Sequence, residues 1–360
     1  ITFSSTSIIN ANNYIFNSTQ KIFIDKLKKK FTYAQISELI SKLKKLKVCV
    51  IGEFIIDNYC FGDVVGKSGK EPHLVLQQKK EEYYSGGSVA IARNVATFVN
   101  KVEVISPFGF EGFYKKLLKK NLSKNIRFNF LKLSKDFKTI VKTRYVDQVS
   151  NYKLFGYYTL PNQIDKNVEK RIIKLIKNKS KFADMILVCD YGHKFISKNI
   201  SKEIKKSKKF LSVTAQINSS NIGYHTINKY SNSDLVVINE SELRQEFKDN
   251  ISDVNNLAKH LIINKKIKKL IVTQGKKGAF LVDNKFKSYF CPAFAKTLID
   301  KVGAGDAMLS ISSICLKLNF EPELALFLGS IAASSAVETV GNKETINFLK
   351  LDRIIEHILK

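Results

Sequence analysis

The chain has 360 residues, 44% of them hydrophobic, with a formal net charge of +28. This length holds one large α/β domain with appendages or two modest domains, and the hydrophobic share is ordinary for a globular protein with a sizeable core. Nearly all of the positive charge is lysine beside abundant Asn and Ile, whereas nucleic-acid surfaces favour the bidentate fork of arginine. An AT-rich coding bias that spreads lysine over solvated faces therefore explains the charge better than specific nucleic-acid binding.

A basic surface still draws phosphorylated substrates by steering. The five cysteines (Cys49, Cys60, Cys189, Cys291 and Cys315) form no Cys-x-x-Cys pair, and Cys49, Cys189 and Cys315 sit inside apolar runs. Buried free thiols in a reducing cytoplasm are the expectation. No secretory leader is visible, and the chain does not begin with Met, so residue 1 need not be the biological start. The longest apolar stretch, residues 324–337, is too short to span a bilayer and reads as a buried, closely packed helix.

Residues 1–45 differ in character. They are Asn- and Ser-rich, then lysine-rich with Phe23, Leu27, Phe31, Ile36, Ile40 and Leu43 at helical spacing. They are expected to form an appendage or linker, or the tail of a preceding domain, with the main domain at 46–360. A buried-strand run follows at 48–52. Next come Gly52, Glu53 and Asp57, read as the first turn from strand to helix, where either acid serves as a helix cap or as an acceptor for hydroxyl groups.

Residues 62–80 break the pattern, because Gly62, Gly66, Gly69 and Pro72 punctuate two short extended pieces. A projecting hairpin that acts as a lid, or an ordinary surface hairpin, fits equally. Gly86 and Gly87 then open a helix of small residues that runs through Ala90 and Asn94. Strand-like runs at 102–105, 185–189, 210–213, 235–238 and 270–273 alternate with helical periods such as 168–176 and 255–263. Continuous apolar strands separated by helices predict a mostly parallel sheet covered on both faces, with ligands beyond the carboxyl ends of its strands.

The chemistry-bearing residues fall just after such strands. Lys142 and Arg144 offer positive charge to a phosphate, or lie on a solvated face. Asp190, Tyr191 and Gly192 follow the strand ending at Cys189. Asn239 and Glu242 follow the 235–238 strand, as metal-side residues or as plain helix caps. Thr273, Gln274, Gly275, Lys276, Lys277 and Gly278 form a glycine loop or a hairpin turn. Last comes Asp300-Lys301-Val302-Gly303-Ala304-Gly305-Asp306, where unobstructed N–H groups at a helix start can cradle an anion beside an acid that can take a proton.

The last heptapeptide resembles the D-T-x-G-A-G-D signature of the PfkB (ribokinase-like) carbohydrate kinases. The Gly86-Gly87 helix, the Asn239-x-x-Glu242 pair and the Thr273-x-Gly275-x-x-Gly278 loop resemble further motifs of that family in the same order, covering roughly residues 47–350. The wording around Asp57, Tyr59, Phe61 and Gly62 and the Asp190-Tyr191 turn are closest to the heptose-phosphate kinase branch. The resemblance implies a three-layer α/β/α sandwich with a small β-lid, ATP and Mg²⁺ as cofactors, and a sugar or sugar phosphate as partner. It implies Asp306 as base, with Gly303, Ala304 and Gly305 as anion hole. Asp57, Gly86, Gly87, Asn94, Arg144 and Asp190 would meet the sugar. Asn239, Thr273, Gly275, Gly278 and Gly341 would meet the nucleotide, with Glu242 acting on Mg²⁺ through water. Asp300 would border a monovalent-cation (K⁺) site, and a homodimer would form through the lid.

Two departures stand out. Ala90 replaces a substrate-touching Asn, and Lys301 replaces a small residue beside the cation site. They keep open a kinase for another alcohol such as a nucleoside, or a catalytically weak sugar- or nucleotide-binding module. Because heptose kinases are often fused to a nucleotidyltransferase-like domain, Ile1 to Thr6 and the lysine-rich helix after it read as the remnant of one. No membrane association is expected.

Overall fold

The computed structural model describes residues 16–359 except 110, 132, 134–136 and 163. The segment from Ile1 to Thr6 lies outside the described residues. Two helices, α1 (Ser18–Lys28) and α2 (Tyr33–Lys42), come first, each started by a reciprocal capping box: Asn17 with Gln20, then Thr32 with Gln35.

A nine-stranded sheet forms the middle layer, and its strands follow the apolar runs of the sequence. They are β1 (Lys47–Gly52), β4 (Lys101–Ser106), β5 (Ile126–Phe130), β8 (Met185–Asp190), β9 (Phe210–Ala215), β10 (Leu235–Asn239), β11 (Lys269–Thr273), β12 (Ala279–Asp283) and β13 (Ser288–Cys291), in the order 13-12-11-10-9-8-1-4-5. Every neighbouring pair from β5 to β11 runs parallel; β12 and β13 are antiparallel.

Successive strand residues point to opposite faces, so each strand feeds two cores. Val48, Val50, Leu187, Val237 and Ile271 belong to one hydrophobic cluster, and Cys49, Ile51, Val188, Ile238 and Val272 to the other. The first is closed by α3 (Ser88–Ala96), α4 (Gly112–Asn121), α9 (Ala304–Lys317), α10 (Pro322–Val337) and α11 (Phe348–Leu359), and the second by α5 (Lys166–Ser180), α6 (Lys198–Lys206), α7 (Glu240–Phe247) and α8 (Val254–Lys265). This is the expected three-layer α/β/α sandwich. The 324–337 stretch is helix α10, and among the described residues no helix is long and apolar enough to cross a membrane. Gly329 lets α10 approach α9 closely, since a Cβ there would overlap Ser312 and meet Met308 Sδ at 2.6 Å. All five cysteines are free and buried.

Three expectations need correction. Residues 18–42 are neither appendage nor linker, because Phe23, Ile24, Leu27, Ile36 and Ile40 are buried in the first core and Phe23 packs on Phe294 and Phe327. The nearly buried Glu323 on α10 also pairs with Lys26, at 3.0 Å, and with Lys30. Gly52 to Asp57 is not a strand-to-helix turn either. The chain passes directly into β2 (Phe54–Lys67) and returns as β3 (Leu74–Gly87), and only then enters α3. The run of aromatic and β-branched residues from Phe54 to Phe61 favours a strand, and Gly87 supplies the left-handed bend (φ +58°) that starts the helix.

The hairpin is therefore longer than residues 62–80. It belongs to a second, four-stranded sheet in the order β3-β2-β6-β7, with β6 (Ile140–Asp147) parallel to β2 and β7 (Lys153–Thr159) antiparallel to β6. This smaller sheet stands over the carboxyl edge of the large one. If residues 18–42 are integral to the core, Leu27→Ala should cost about 2–5 kcal/mol, read as a lower urea midpoint with an unchanged slope. An unchanged midpoint would mean that these helices only decorate the domain.

Candidate active site

An open cleft of about 270 Å³ lies between the small sheet and the carboxyl ends of the central strands. The small sheet contributes Ile55, Asp57, Gly87, Lys142, Arg144 and Tyr158 to its walls. The large domain contributes Tyr191, Gln216 and Asn218 from the loops after β8 and β9, then residues 301–303, 305, 306 and Asn342.

The cleft floor is the first turn of α9. Gly303 caps it with φ +89°, and a Cβ at Gly303 would overlap the Asn342 side chain. Gly305 is exposed and faces open space. Ala304 begins the helix, so the first N–H groups of α9 have no partner within it and carry the positive end of the helix dipole. Asp306 lies in this turn and accepts a hydrogen bond from the Tyr191 hydroxyl at 2.8 Å. Burial pushes its carboxyl up to about 7; Asp57 adds to the rise, while Tyr191 and Lys142 oppose it. A carboxylate with this balance is suited to accept a proton near neutral pH.

Opposite Asp306, Asp57 Oδ1 accepts from the Arg144 guanidinium at 2.7 Å and Oδ2 accepts from Asn342 Nδ2 at 3.2 Å. Gly86 must lack a side chain, because a Cβ would overlap the Asp57 carboxylate. Arg144 stacks on the Tyr59 ring with its guanidinium 5.2 Å from the centroid. Lys142 is buried among the rings of Tyr158 and Tyr191, at 5.5 and 5.9 Å, and burial lowers its pKa although Asp57 pulls it up. Asn94 is buried in α3 and does not line the cleft. Ala90 is buried one turn earlier in the same helix.

Asp190 does not face the cleft. Its carboxylate is buried beneath it, where it accepts from Tyr230 at 2.5 Å and from Gly192 N–H at 3.1 Å, and pairs with Lys229 at 2.6 Å. Its sequence neighbour Tyr191 reaches the cleft instead, since adjacent residues leaving a strand point to opposite sides. Glu53 lies beside this network and accepts from the Tyr191 and His193 backbone N–H groups at 3.0 and 3.1 Å, so it caps no helix. Its carboxyl is pushed up by burial and by Asp190.

Of the residues expected at the nucleotide, Asn239 and the loop from Thr273 to Gly278 lie one and two strands further along the same edge. Asn239 and Thr273 are register partners at the ends of β10 and β11. Asn239 and Glu242 form a reciprocal capping box at the start of α7. Glu242 also accepts from Ile217 N–H at 3.1 Å, between the cleft residues Gln216 and Asn218. Burial pushes Glu242 up to about 7, with a further push from Asp306. Gly275 (φ +59°) faces open space, whereas Gly278 (φ +111°) is packed against Cys291 and Pro292. Gly341 is buried, and its N–H donates to Asp300 Oδ2 at 3.1 Å. Among the described residues no three His, Cys, Asp or Glu side chains are grouped to hold a metal ion alone. Each Glu242 oxygen accepts one backbone N–H, from Ile217 and from Asn239, which leaves lone pairs to accept from a water of a hydrated ion such as Mg²⁺.

Sequence reasoning missed Tyr158, Gln216, Asn218 and Asn342. Gln216 and Asn218 follow the apolar run of β9, so the carboxyl-end rule that found Asp190 would have found them. Tyr158 had no such signal, because its place depends on pairing with Lys142 across β6 and β7.

A profile of the pfkB family carbohydrate kinases matches residues 45–347. Among curated proteins, the bifunctional protein HldE of Campylobacter fetus subsp. fetus is 26% identical over 302 residues, 83% of this chain and 64% of that protein. The bifunctional protein HldE of Blochmanniella floridana is 23% identical over 314 residues, 87% of this chain and 64% of that one. The chain thus spans just under two thirds of the length of these relatives. Phosphofructokinase-2 from Escherichia coli, solved with substrates and products, aligns with a TM-score of 0.71 at 16% identity, covering 88% of this chain and 100% of that one. Ribokinase from Arabidopsis thaliana, complexed with ribose and ATP, gives 0.67 at 14% identity over 87% and 99%. With its ribokinase-like fold and a match over most of its length, the chain belongs to the pfkB family of carbohydrate kinases, phosphotransferases that act on an alcohol group.

Proposed function

We propose that this protein transfers the γ-phosphoryl group of ATP to a hydroxyl of a phosphorylated, heptose-like sugar. The carrying observation is Asp306, held by Tyr191 in the first turn of α9 and facing the Asp57–Arg144 pair across the cleft. In this reading Asp306 takes the proton of the attacking hydroxyl, and the N–H groups of residues 303–305 neutralise charge on the transferring group. Asp57, Gly86 and Gly87 shape the sugar side, while Asn94 supports the α3 wall from below. Lys142 and Arg144 meet a phosphate already on the sugar.

Asn239, Thr273, Gly275 and Gly278 border the nucleotide, whereas Gly341, expected there, is buried at Asp300 against the Tyr59 and Tyr84 rings of the lid. Glu242 would hold Mg²⁺ through water, and the ion, when bound, neutralises the phosphate oxygens. A heptose-type acceptor is supported by the wording around Asp57 and by the HldE relatives. The lid exposes Val65 on β2, Leu74 on β3, Phe155 and Tyr157 on β7, and Tyr152 just before β7, and a second copy of the chain is the occupant we assign to the lid.

Asp306→Asn should lower turnover on the order of a hundred- to ten-thousand-fold while ATP binding by calorimetry persists. A wild-type rate would remove Asp306 as base. Because the Asp306 carboxyl lies up at about 7, its proton-accepting form is lost as pH falls through that value. The kcat/KM of the native enzyme should therefore rise through a limb near neutrality and level off in alkali, and a flat profile between pH 5 and pH 9 would contradict the assignment.

The sign is reversed for stability. A raised acid stabilises the fold below its unfolded value and loses that contribution as pH rises through about 7, so Asp306→Asn should raise the Tm at pH 8 and not at acid pH. Finally, a panel of sugars with and without phosphate should show preference for the phosphorylated acceptors. Lys142→Met should erase roughly tenfold or more of it; equal use of nucleosides or neutral sugars by the native enzyme would overturn the substrate class.

A further inference from the structure

Asp300 is buried, and each of its carboxylate oxygens is met by two donors. Oδ1 accepts from Lys153 Nζ at 2.5 Å and from the Val302 N–H at 3.1 Å. Oδ2 accepts from the Tyr59 hydroxyl at 2.5 Å and from the Gly341 N–H at 3.1 Å. Lys153 comes from β7 and Tyr59 from β2, both in the small sheet, whereas Val302 and Gly341 belong to the two loops at the cleft floor. The Lys153 ammonium also lies 5.6 Å from the centre of the Tyr59 ring, whose hydroxyl shares the same carboxylate. A buried carboxylate needs a countercharge, and this one already has it.

This donor set does not suit the monovalent-cation site expected at Asp300. Both oxygens are engaged, and the positive charge beside them is an ammonium on a side chain. An ammonium carries the charge of K⁺ at a comparable size, and a tether removes the need to recruit an ion from solution. Asp300 also sits where such a charge matters. It accepts the N–H of Val302, the residue before Gly303, and that of Gly341, whose neighbour Asn342 donates to Asp57.

We propose that Lys153 is a built-in substitute for a free monovalent cation, and that with Tyr59 it acts through Asp300 as a positioning residue for the turn at 302–305. The phosphoryl transfer inferred above, on which the kinetic part of this proposal rests, is then indifferent to K⁺.

The test compares the native protein, Lys153→Met and Lys153→Arg in KCl, NaCl and tetramethylammonium chloride at matched ionic strength, reading both turnover and Tm. For the native protein, turnover and Tm should be the same in all three salts. Lys153→Met should lose roughly tenfold or more in kcat in tetramethylammonium, with KM little changed. KCl should restore part of that loss and raise its Tm saturably, while Lys153→Arg should stay near the native values. A saturable K⁺-dependent rise in the native Tm or turnover would overturn the proposal, as would a Lys153→Met protein that behaves like the native one in every salt. If the native protein phosphorylates no acceptor, the proposed reaction fails, and the Tm comparison still decides the cation question on the native protein alone. The same comparison decides it if Lys153→Met does not fold.

Discussion

Several carboxylates gather at one edge of the sheet, among them Glu53, Asp57, Asp300 and Asp306, and withdrawing them wholly or partly from water is the constraint that the surrounding structure satisfies. Each would be costly alone, because a charge taken out of water must be paired or hydrogen-bonded. Each meets a different solution. Glu53 receives two backbone N–H groups of the loop after β8. Asp57 receives Arg144 and Asn342. Asp300 receives Lys153, Tyr59 and two backbone groups. Asp306 receives only Tyr191 among side chains, and its carboxyl consequently stays raised. Of the two acids that line the cleft, Asp57 has a guanidinium partner and Asp306 has none.

The small sheet supplies most of this compensation. Tyr59, Arg144 and Lys153 come from three of its strands, and their cations flank the Tyr59 ring on the way to Asp57 and Asp300. The sheet therefore covers the cleft and also carries the countercharges for acids that belong to the large domain or face it. Burial pushes the Asp300 carboxyl up, yet Lys153 and Tyr59 outweigh it and hold it below the usual carboxylate range. Separation of the two sheets would expose Asp300 to water and leave Lys153 unpaired, which ties the position of the lid to the electrostatics of the turn at 302–305.

Much of this was legible in the chain itself. The apolar runs at 48–52, 185–189 and 235–238 became β1, β8 and β10 almost residue for residue, because strands buried on both faces need continuous hydrophobicity. The glycines at 86, 87 and 303 were legible because close approach or a left-handed backbone leaves few alternatives. The lid was legible only in part. Strand β6 is mostly buried and β7 has no buried residue, both mix charged and aromatic side chains, and their hairpin joins the lid only through the distant strand β2, so no local period announces them. Residues 18–42 looked like an appendage because lysine dominates their outer face, yet their apolar stripe has a partner in α10 and α11.

Local period and backbone freedom made three things readable from the residues: the layer architecture, the strand ends that border the cleft, and an acid at the start of a glycine-flanked helix. Which acids face the cleft and which are structural depended on how the chain packs. Asp190 and Tyr191 are adjacent, yet opposite sides of one backbone send the first to Tyr230 and Lys229 and the second to Asp306. Only the fold, likewise, brings Lys153 across 147 residues to Asp300. A salt bridge between elements so far apart leaves no trace in spacing, because its energy depends on distance in space and on burial.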